Sequence, residues 1–284
     1  MSAAQAYIVN AFTDEGRGGN AAGVVLDADG LDPSARLAIA ARVGLSETAF
    51  VSRSPSETIR LEFFTPTRQI AHCGHATIAT FALLRELGRV GEGTSTKETI
   101  DGVRRVIVDG DVVSMEQRAP AIAELTLEDT LSIEHSIGAS TLGSWIVDTG
   151  NGFAAIEMAS RDALAAVRPD FEAIARISES LDLVGYYLFT RDTGRDDRIA
   201  TTRMFAPRYG IPEEAATGMA AGPLAGLLHA REGLGTEMVI EQGALMHPAS
   251  PSAIQVRLEL HDGAVTRLFA GGRARVMRRI DLMG

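Results

Sequence analysis

Apolar positions along the chain recur with two periods. Short stretches alternate at a spacing of two, as strands with one covered face do, and two longer stretches are apolar around most of a helical wheel. Strands are expected at Ala6 to Phe12, Gly23 to Leu26, through Phe50 and Val51, and at Ile59 to Phe64. A helix is expected from Pro33 to Val43, because Asp32 suits the N-cap, Pro33 the first turn and Gly44 the position past the end. The first mostly apolar helix opens at Gly74 and is closed by Gly88. Val103 to Val108 and Val112 to Met115, joined by Asp109-Gly110, read as a hairpin. Arg118 to Leu125 reads as a linker. Beyond it come strands near Ser144 to Val147 and Phe153 to Met158, a helix over Asp170 to Leu181, and strands at Gly185 to Thr190 and Ile199 to Phe205. The second mostly apolar helix runs from about Gly218 to His229; Pro223 is tolerated only near a first turn, which leaves its start open. Strands near Met238 to Glu241, Ile254 to Leu260, Val265 to Ala270 and Ala274 to Ile280 finish the chain.

The two apolar helices belong to a repeat. Phe63-Phe64-Thr65-Pro66, Cys73-Gly74-His75-Ala76-Thr77 and Leu83-Leu84 reappear as Met204-Phe205-Ala206-Pro207, Thr217-Gly218-Met219-Ala220 and Leu227-Leu228. Two related lobes are therefore expected, residues 1–118 and 119–284, with the last strand packing back on the first lobe. Each lobe carries a strand, a glycine-containing turn and a buried helix. Backbone N–H groups at such turns lack intrahelical partners and attract anions, so function is expected where two of them face each other.

Composition narrows the partners. The formal net charge is −10 and 45% of residues are apolar. Nucleic acid or an anionic membrane surface is therefore a poor partner, and sizeable cores can form. No apolar run is long enough to span a bilayer, and Met1 to Ala6 lacks the regions of a signal peptide. A cytoplasmic location is expected. Cys73 is the sole cysteine, which excludes an internal disulfide and a two-thiol racemase, since the equivalent repeat position is Thr217. Lys97 is the sole lysine and sits in a Gly/Thr/Glu-rich stretch that reads as a loop. Schiff-base chemistry needs a buried lysine, so pyridoxal phosphate is not expected. No nucleotide-binding glycine motif is present. The expected cofactor set is none.

Glu47 stands in a polar island between apolar residues, where partial burial would raise its pKa and suit a general base. Glu213 and Glu214 offer a second acid before the second turn. His75 at a helix start is expected to lean neutral and to pass protons. His72 and His75 are too few for a metal site, and no metal is expected. Asn20 and Asn151, in Gly-rich turns, are candidates to orient a carboxylate. Each of these has a plain reading as well: a solvent-facing Glu, a helix-terminal acid, a locally bonded His, turn chemistry.

Several segments together resemble the PhzF-like (phenazine biosynthesis) isomerase family. They are Asn10-Ala11-Phe12, Gly19-Asn20-Ala21-Ala22-Gly23, Ser46-Glu47-Thr48-Ala49-Phe50, Phe64-Thr65-Pro66, Cys73-Gly74-His75-Ala76-Thr77, Gly210-Ile211-Pro212-Glu213-Glu214 and Ala216-Thr217-Gly218. The resemblance implies an α+β, diaminopimelate epimerase-like fold: two pseudo-symmetric lobes, each with a sheet or roll around a central helix. It also implies a homodimer and a cofactor-independent isomerase acting on a small carboxylic acid. Its best-known member isomerises trans-2,3-dihydro-3-hydroxyanthranilate. Carried onto this chain, Glu47, His75 and Glu214 are catalytic. Asn20, Ser46, Cys73, Gly74, Thr217, Gly218 and Met219 contact substrate. The family's Glu-Asp-Pro is Glu213-Glu214-Ala215 here, and its Ser or Asn after Thr-Gly is Met219, which makes that wall apolar and flexible. A proton shift within an unsaturated cyclic acid of secondary metabolism, on an antibiotic pathway, is the expected reaction. An epimerase using Glu47 with Glu214, or a non-catalytic acid-binding protein, are the alternatives.

Overall fold

The computed structural model describes residues 5–281. The Met1 to Ala6 reading falls partly outside them. The chain divides into two compact units. One runs to Glu116 and takes up the chain again from Gly271; the other is Gln117–Ala270.

The first unit contains β1 (Gln5–Ala11), β2 (Asn20–Leu26), α1 (Pro33–Val43), β3 (Thr48–Ser52), β4 (Ile59–Phe64), β5 (Gln69–Ile70), α2 (Gly74–Glu86), β6 (Gly93–Thr99), β7 (Gly102–Asp109) and all but the last two residues of β8 (Val112–Arg118). α1 forms as its caps dictate: the Asp32 carboxylate accepts from the Ala35 N–H, and Gly44 turns into the left-handed region at φ 70°. β1 pairs antiparallel with β2, β2 lies parallel to β3 across α1, and β3 and β4 are antiparallel. β4 lies parallel to β6 across α2, and β6, β7 and β8 follow as antiparallel neighbours. α2 buries nearly all its residues, among them Ile78, Phe81, Leu83 and Leu84. A helix apolar all round is stable in water only when covered on most sides.

The second unit repeats the plan. It contains β9 (Ala121–Glu124), α3 (Leu127–Ile137), β10 (Gly143–Asp148), β11 (Gly152–Glu157), α4 (Arg161–Ala166), α5 (Phe171–Ser180), β12 (Gly185–Thr190), β13 (Ala200–Ala206), β14 (Ile211–Glu214), α6 (Gly218–Glu232), β15 (Glu237–Gln242) and β16 (Ser252–His261). β11 lies parallel to β12, β12 is antiparallel to β13, and β13 lies parallel to β15 across α6. This is the order of β2, β3, β4 and β6 around α2. The repeat seen in sequence is thus a repeat of topology.

Three expectations need correction. Residues 118–125 are no linker: β9 pairs antiparallel with β10, from Trp145 opposite Glu124 to Asp148 opposite Ala121. α3 occupies what had no assigned element, capped by the Thr126 hydroxyl, which accepts from the Asp129 N–H. The two last expected strands are one, β17 (Ala264–Asp281), whose C-terminal part pairs with β1. Pro223 lies inside α6 without displacing its start. It forfeits one intrahelical bond, to the Met219 carbonyl. Small residues along α6 let neighbours come close: a side chain at Gly222 would meet Leu268 at 2.5 Å, and one at Gly226 would meet Pro120 at 2.6 Å.

Candidate active site

Glu47 enters through its backbone. It immediately precedes β3, and its carbonyl accepts from the Gly23 N–H at 3.0 Å, which extends the β2–β3 pairing by one residue. α2 begins at Gly74 after an extended Cys73, whose side chain caps nothing. The Thr77 hydroxyl donates to the Cys73 carbonyl at 2.7 Å and fixes the turn. The result sets three side chains together. His75 Nε2 is 3.2 Å from Glu47 Oε2, and Cys73 Sγ is 3.6 Å from His75 Nδ1 and 3.9 Å from Nε2. Glu47 is 7% exposed, Cys73 5% and His75 5%.

Both expected pKa directions reverse. Burial alone would raise the Glu47 carboxyl, but His75, with help from Ser46, outweighs it and holds the group below its usual value. Burial opposes charge on His75, yet the neighbouring Cys73 sulfur and Glu47 carboxylate hold it well above the ordinary imidazole range. Of those two neighbours Glu47 is the one ionised at neutral pH, because burial pushes the Cys73 thiol up. Both directions favour the charged forms, a carboxylate beside an imidazolium. The 3.2 Å approach is an ion pair lacking hydrogen-bond alignment, and Glu47 Oε2 has no aligned donor.

Asn20 opens β2 and is buried, whereas Ser46 is largely exposed. His72 stays out of the cluster. Its buried Nδ1 has no partner, and burial with the charges of Lys97 and Arg104 pushes its pKa down to about 3.

Lys97 overturns its reading as a loop residue. It sits on β6 and is completely buried. Its ammonium donates to the Thr77 hydroxyl at 2.7 Å and lies 5.1 Å from the centre of the Phe63 ring. Burial lowers its pKa to about 7. Because Thr77 in turn bonds the Cys73 carbonyl, Lys97 reaches the α2 turn through one hydroxyl.

In the second unit, the turn between β14 and α6 is tied by a buried amide. Gln242 accepts from the Thr217 N–H at 3.0 Å and from the Tyr187 hydroxyl at 3.0 Å. It donates to the Glu214 carbonyl at 2.7 Å and the Thr217 hydroxyl at 3.1 Å. That hydroxyl donates to Glu214 Oε2 at 2.5 Å. The Gly218 carbonyl accepts from Gln117 at 2.8 Å. Glu213 is taken up by Arg203 in a two-pronged ion pair at 2.8 and 2.9 Å, so of the two acids Glu214 is the one at the turn. Half-buried Met219 has its sulfur 3.8 Å from the Asn151 amide. Gln242→Leu would orphan the Thr217 N–H and take the amide donor away from the Glu214 carbonyl. At about 1–3 kcal/mol for the buried unpaired N–H and about 1 kcal/mol for the lost bond, a loss on the order of 2–4 kcal/mol is expected in urea unfolding.

Parallel crossovers over a central helix, repeated in two units, are the diaminopimelate epimerase-like fold, and a buried carboxylate–imidazole pair stands at the start of the first central helix. The chain matches the PhzC-PhzF family, phenazine biosynthesis-like proteins, over residues 9–279 and belongs to it. It is 32% identical over 237 residues to the uncharacterized isomerase YddE of Escherichia coli O157:H7, covering 79% of each chain. It is 31% identical over 289 residues to trans-2,3-dihydro-3-hydroxyanthranilate isomerase of Pseudomonas fluorescens, covering 98% of this chain and 94% of that one. The crystal structure of a PhzF-family protein from Bacillus anthracis matches with a TM-score of 0.89 over the whole of both chains, at 25% identity. A hydroxyproline epimerase from Agrobacterium vitis shares the fold, with a TM-score of 0.61 at 14% identity over 98% of this chain and 92% of that one. The protein is an isomerase. No helix among the described residues is long and apolar enough to cross a membrane.

Proposed function

We propose that this isomerase moves a proton within a small unsaturated cyclic amino or carboxylic acid, with a shift of its double bond and without a cofactor. The observation that carries the reading is the buried Glu47–His75 ion pair at the start of α2, 3.2 Å across. The ionised Glu47 carboxylate takes a proton from one substrate carbon, the π electrons move along the ring, and the proton is returned to another carbon. Imidazolium at His75 keeps Glu47 ionised before substrate arrives and stabilises the charge that develops on the substrate. Gly74, at the first turn of α2, offers backbone N–H to the carboxylate, and Asn20, Ser46 and Cys73 complete the contacts of the first unit. In the second unit, Glu214 is the further acid–base group, and Thr217, Gly218 and Met219 contact substrate. The apolar Met219 favours a less polar ring than a hydroxylated anthranilate precursor. A place in secondary-metabolite or antibiotic biosynthesis, a cytoplasmic location and a homodimer complete the proposal.

The test is a panel of cyclic unsaturated acids, trans-2,3-dihydro-3-hydroxyanthranilate among them, incubated with the protein in deuterated water and followed by NMR. Deuterium at one carbon together with a displaced double bond is expected. Deuterium with inverted configuration and an unmoved double bond would replace this reading with the two-carboxylate epimerase.

A further inference from the structure

Gln242 ends β15, the strand that lies parallel to β13 across α6, and it is completely buried against the turn between β14 and α6. The backbone decides which end of this amide is oxygen. The Thr217 N–H needs an acceptor and the Glu214 carbonyl needs a donor, so Oε1 faces the first at 3.0 Å and Nε2 the second at 2.7 Å. Tyr187 agrees with that assignment. Burial, and after it the charge of Glu214, pushes the Tyr187 hydroxyl well up, so it keeps its proton and donates to Oε1 at 3.0 Å. One amide hydrogen is left, and it points to the Thr217 hydroxyl oxygen at 3.1 Å. A hydroxyl has a single hydrogen of its own. With the amide side of its oxygen taken, Thr217 directs that hydrogen to Glu214 Oε2 at 2.5 Å, a separation typical of a charge-assisted bond to a carboxylate. Next to Gln242, Gly243 presses on the same turn: a side chain there would meet the Ala215 carbonyl at 2.7 Å.

We infer that Gln242 is the positioning residue of Glu214: by fixing the direction of the Thr217 hydroxyl, it presents Glu214 to substrate as a carboxylate, an acceptor of a proton rather than a donor. Every link in the relay has one possible sense. Reversing the Thr217 hydroxyl would set its hydrogen against the Nε2 hydrogen, and flipping the amide would set donor against donor at the Thr217 N–H and acceptor against acceptor at the Glu214 carbonyl. A hydrogen bond donated to a carboxylate favours its charged form. The other acid of β14 takes no part, because Arg203 of β13 holds Glu213 in its two-pronged pair. Gln242, Tyr187 and Thr202 are all completely buried, so the relay is set by the core of the second unit and not by solvent. Such a network specifies one arrangement because each member is satisfied by the next.

The consequence for the reaction rests on the proposed role of Glu214 as an acid–base group; the way Glu214 is held does not. The experiment separates them. The full chain is prepared with ¹³C at its glutamate side-chain carboxyls, and their NMR signals are followed against pH. The signal missing from Glu214→Gln belongs to Glu214. Thr217→Val keeps both bonds of Gln242 to the backbone and removes the hydroxyl. It should move the Glu214 titration to higher pH by about one unit or more, the worth of a hydrogen bond to a charged group. Gln242→Leu should move it the same way by less, because the hydroxyl stays but loses its direction. The double variant should move it no further than Thr217→Val alone, since Gln242 acts through that hydroxyl. Thr217→Ser should restore the parent titration. Circular dichroism confirms folding of each variant, and Gln242→Asn, which withdraws the amide by one methylene, supplies a second variant should the leucine form fail to fold. A Glu214 titration unmoved in Thr217→Val or in the Gln242 variants, or shifts that add in the double variant, overturns the relay. Deuterium exchange of substrate is then measured on the same proteins. Gln242→Leu should lose about 10-fold in kcat with KM little changed, as a displaced reacting group does. Exchange at the parent rate in a variant whose Glu214 titration has moved overturns the positioning role. Exchange absent even in the parent counts against the proposed function and leaves the titrations to decide how Glu214 is held.

Discussion

Glu47→Gln is expected to lower the rate of substrate deuterium exchange by about 10³-fold, within the 10²–10⁴-fold range of a positioned general base. The amide keeps the size and the planar shape of the carboxylate. It removes the one group in the Glu47–His75–Cys73 cluster that is both ionised at neutral pH and able to accept a proton. Cys73 cannot substitute, because its burial keeps it a thiol. His75 cannot either while it holds its proton, and although losing the Glu47 anion lets that proton go, the ring lies one side chain away from where the carboxylate sat. Binding of an unreactive cyclic carboxylic acid should change by less than about 10-fold, since the backbone donors of α2 are untouched. The loss should therefore fall in kcat and spare KM. Glu47→Asp separates chemistry from charge: it retains the ion and withdraws it by one methylene, so its rate should lie between those of the parent and the Gln variant. Exchange within 10-fold of the parent rate in Glu47→Gln, measured on folded protein, would remove Glu47 from the role.

What could be read from sequence, and what could not, divides along physical lines. α1 was legible because both its ends are written locally, in Asp32, Pro33 and Gly44, and the structure begins and ends it there. The paired halves were legible because a topological repeat left matching turns. α3 was missed although its signal was present: Thr126 caps it and Asp129 follows three residues later, but the neighbouring Pro and Ala residues suggested a tether. β6 was missed for a deeper reason. Its buried positions are Ser95, Lys97 and Thr99, so the strand alternates in burial while carrying polar side chains inward. Hydropathy periodicity does not register such a strand. The Gly271-Gly272 pair read as a break between two strands, and β17 runs straight through it. At the candidate site, the residue types were visible but the signs of their pKa shifts were not. Burial by itself predicts a raised Glu47, and chiefly the approach of His75, 28 positions away in the chain, reverses it.

Lys97→Met is expected to stabilise the protein at pH 7 by about 2–4 kcal/mol, an unusual sign for a fully buried position. The ammonium is stripped of water, and one neutral hydroxyl and one aromatic face replace what it loses. Its pKa falls from 10.5 to about 7, mainly through burial. At 1.36 kcal/mol per unit, that difference represents up to about 4 kcal/mol of destabilisation at pH 7. Methionine fills nearly the same volume with no charge and gives up only the Thr77 bond, worth about 1 kcal/mol. The pH dependence distinguishes this from a simple packing gain. Between pH 7 and 10.5 the unfolded chain holds a proton on Lys97 that the folded chain has released, so the stability of the parent rises with pH across that window. The advantage of Lys97→Met should therefore be largest at and below pH 7 and shrink toward zero near pH 10. Urea unfolding of both proteins at pH 7 and pH 9.5 reads the difference directly, and groups common to both cancel. A gain equal at the two pH values would mean that charge burial is not its source, and a loss at pH 7 would mean that the ammonium is held by more than Thr77 and Phe63. Lys97 stands one hydroxyl away from the turn that carries Cys73 and His75, so the substitution also removes a tie to that turn. The exchange rate of Lys97→Met should accordingly drop even as its urea midpoint rises.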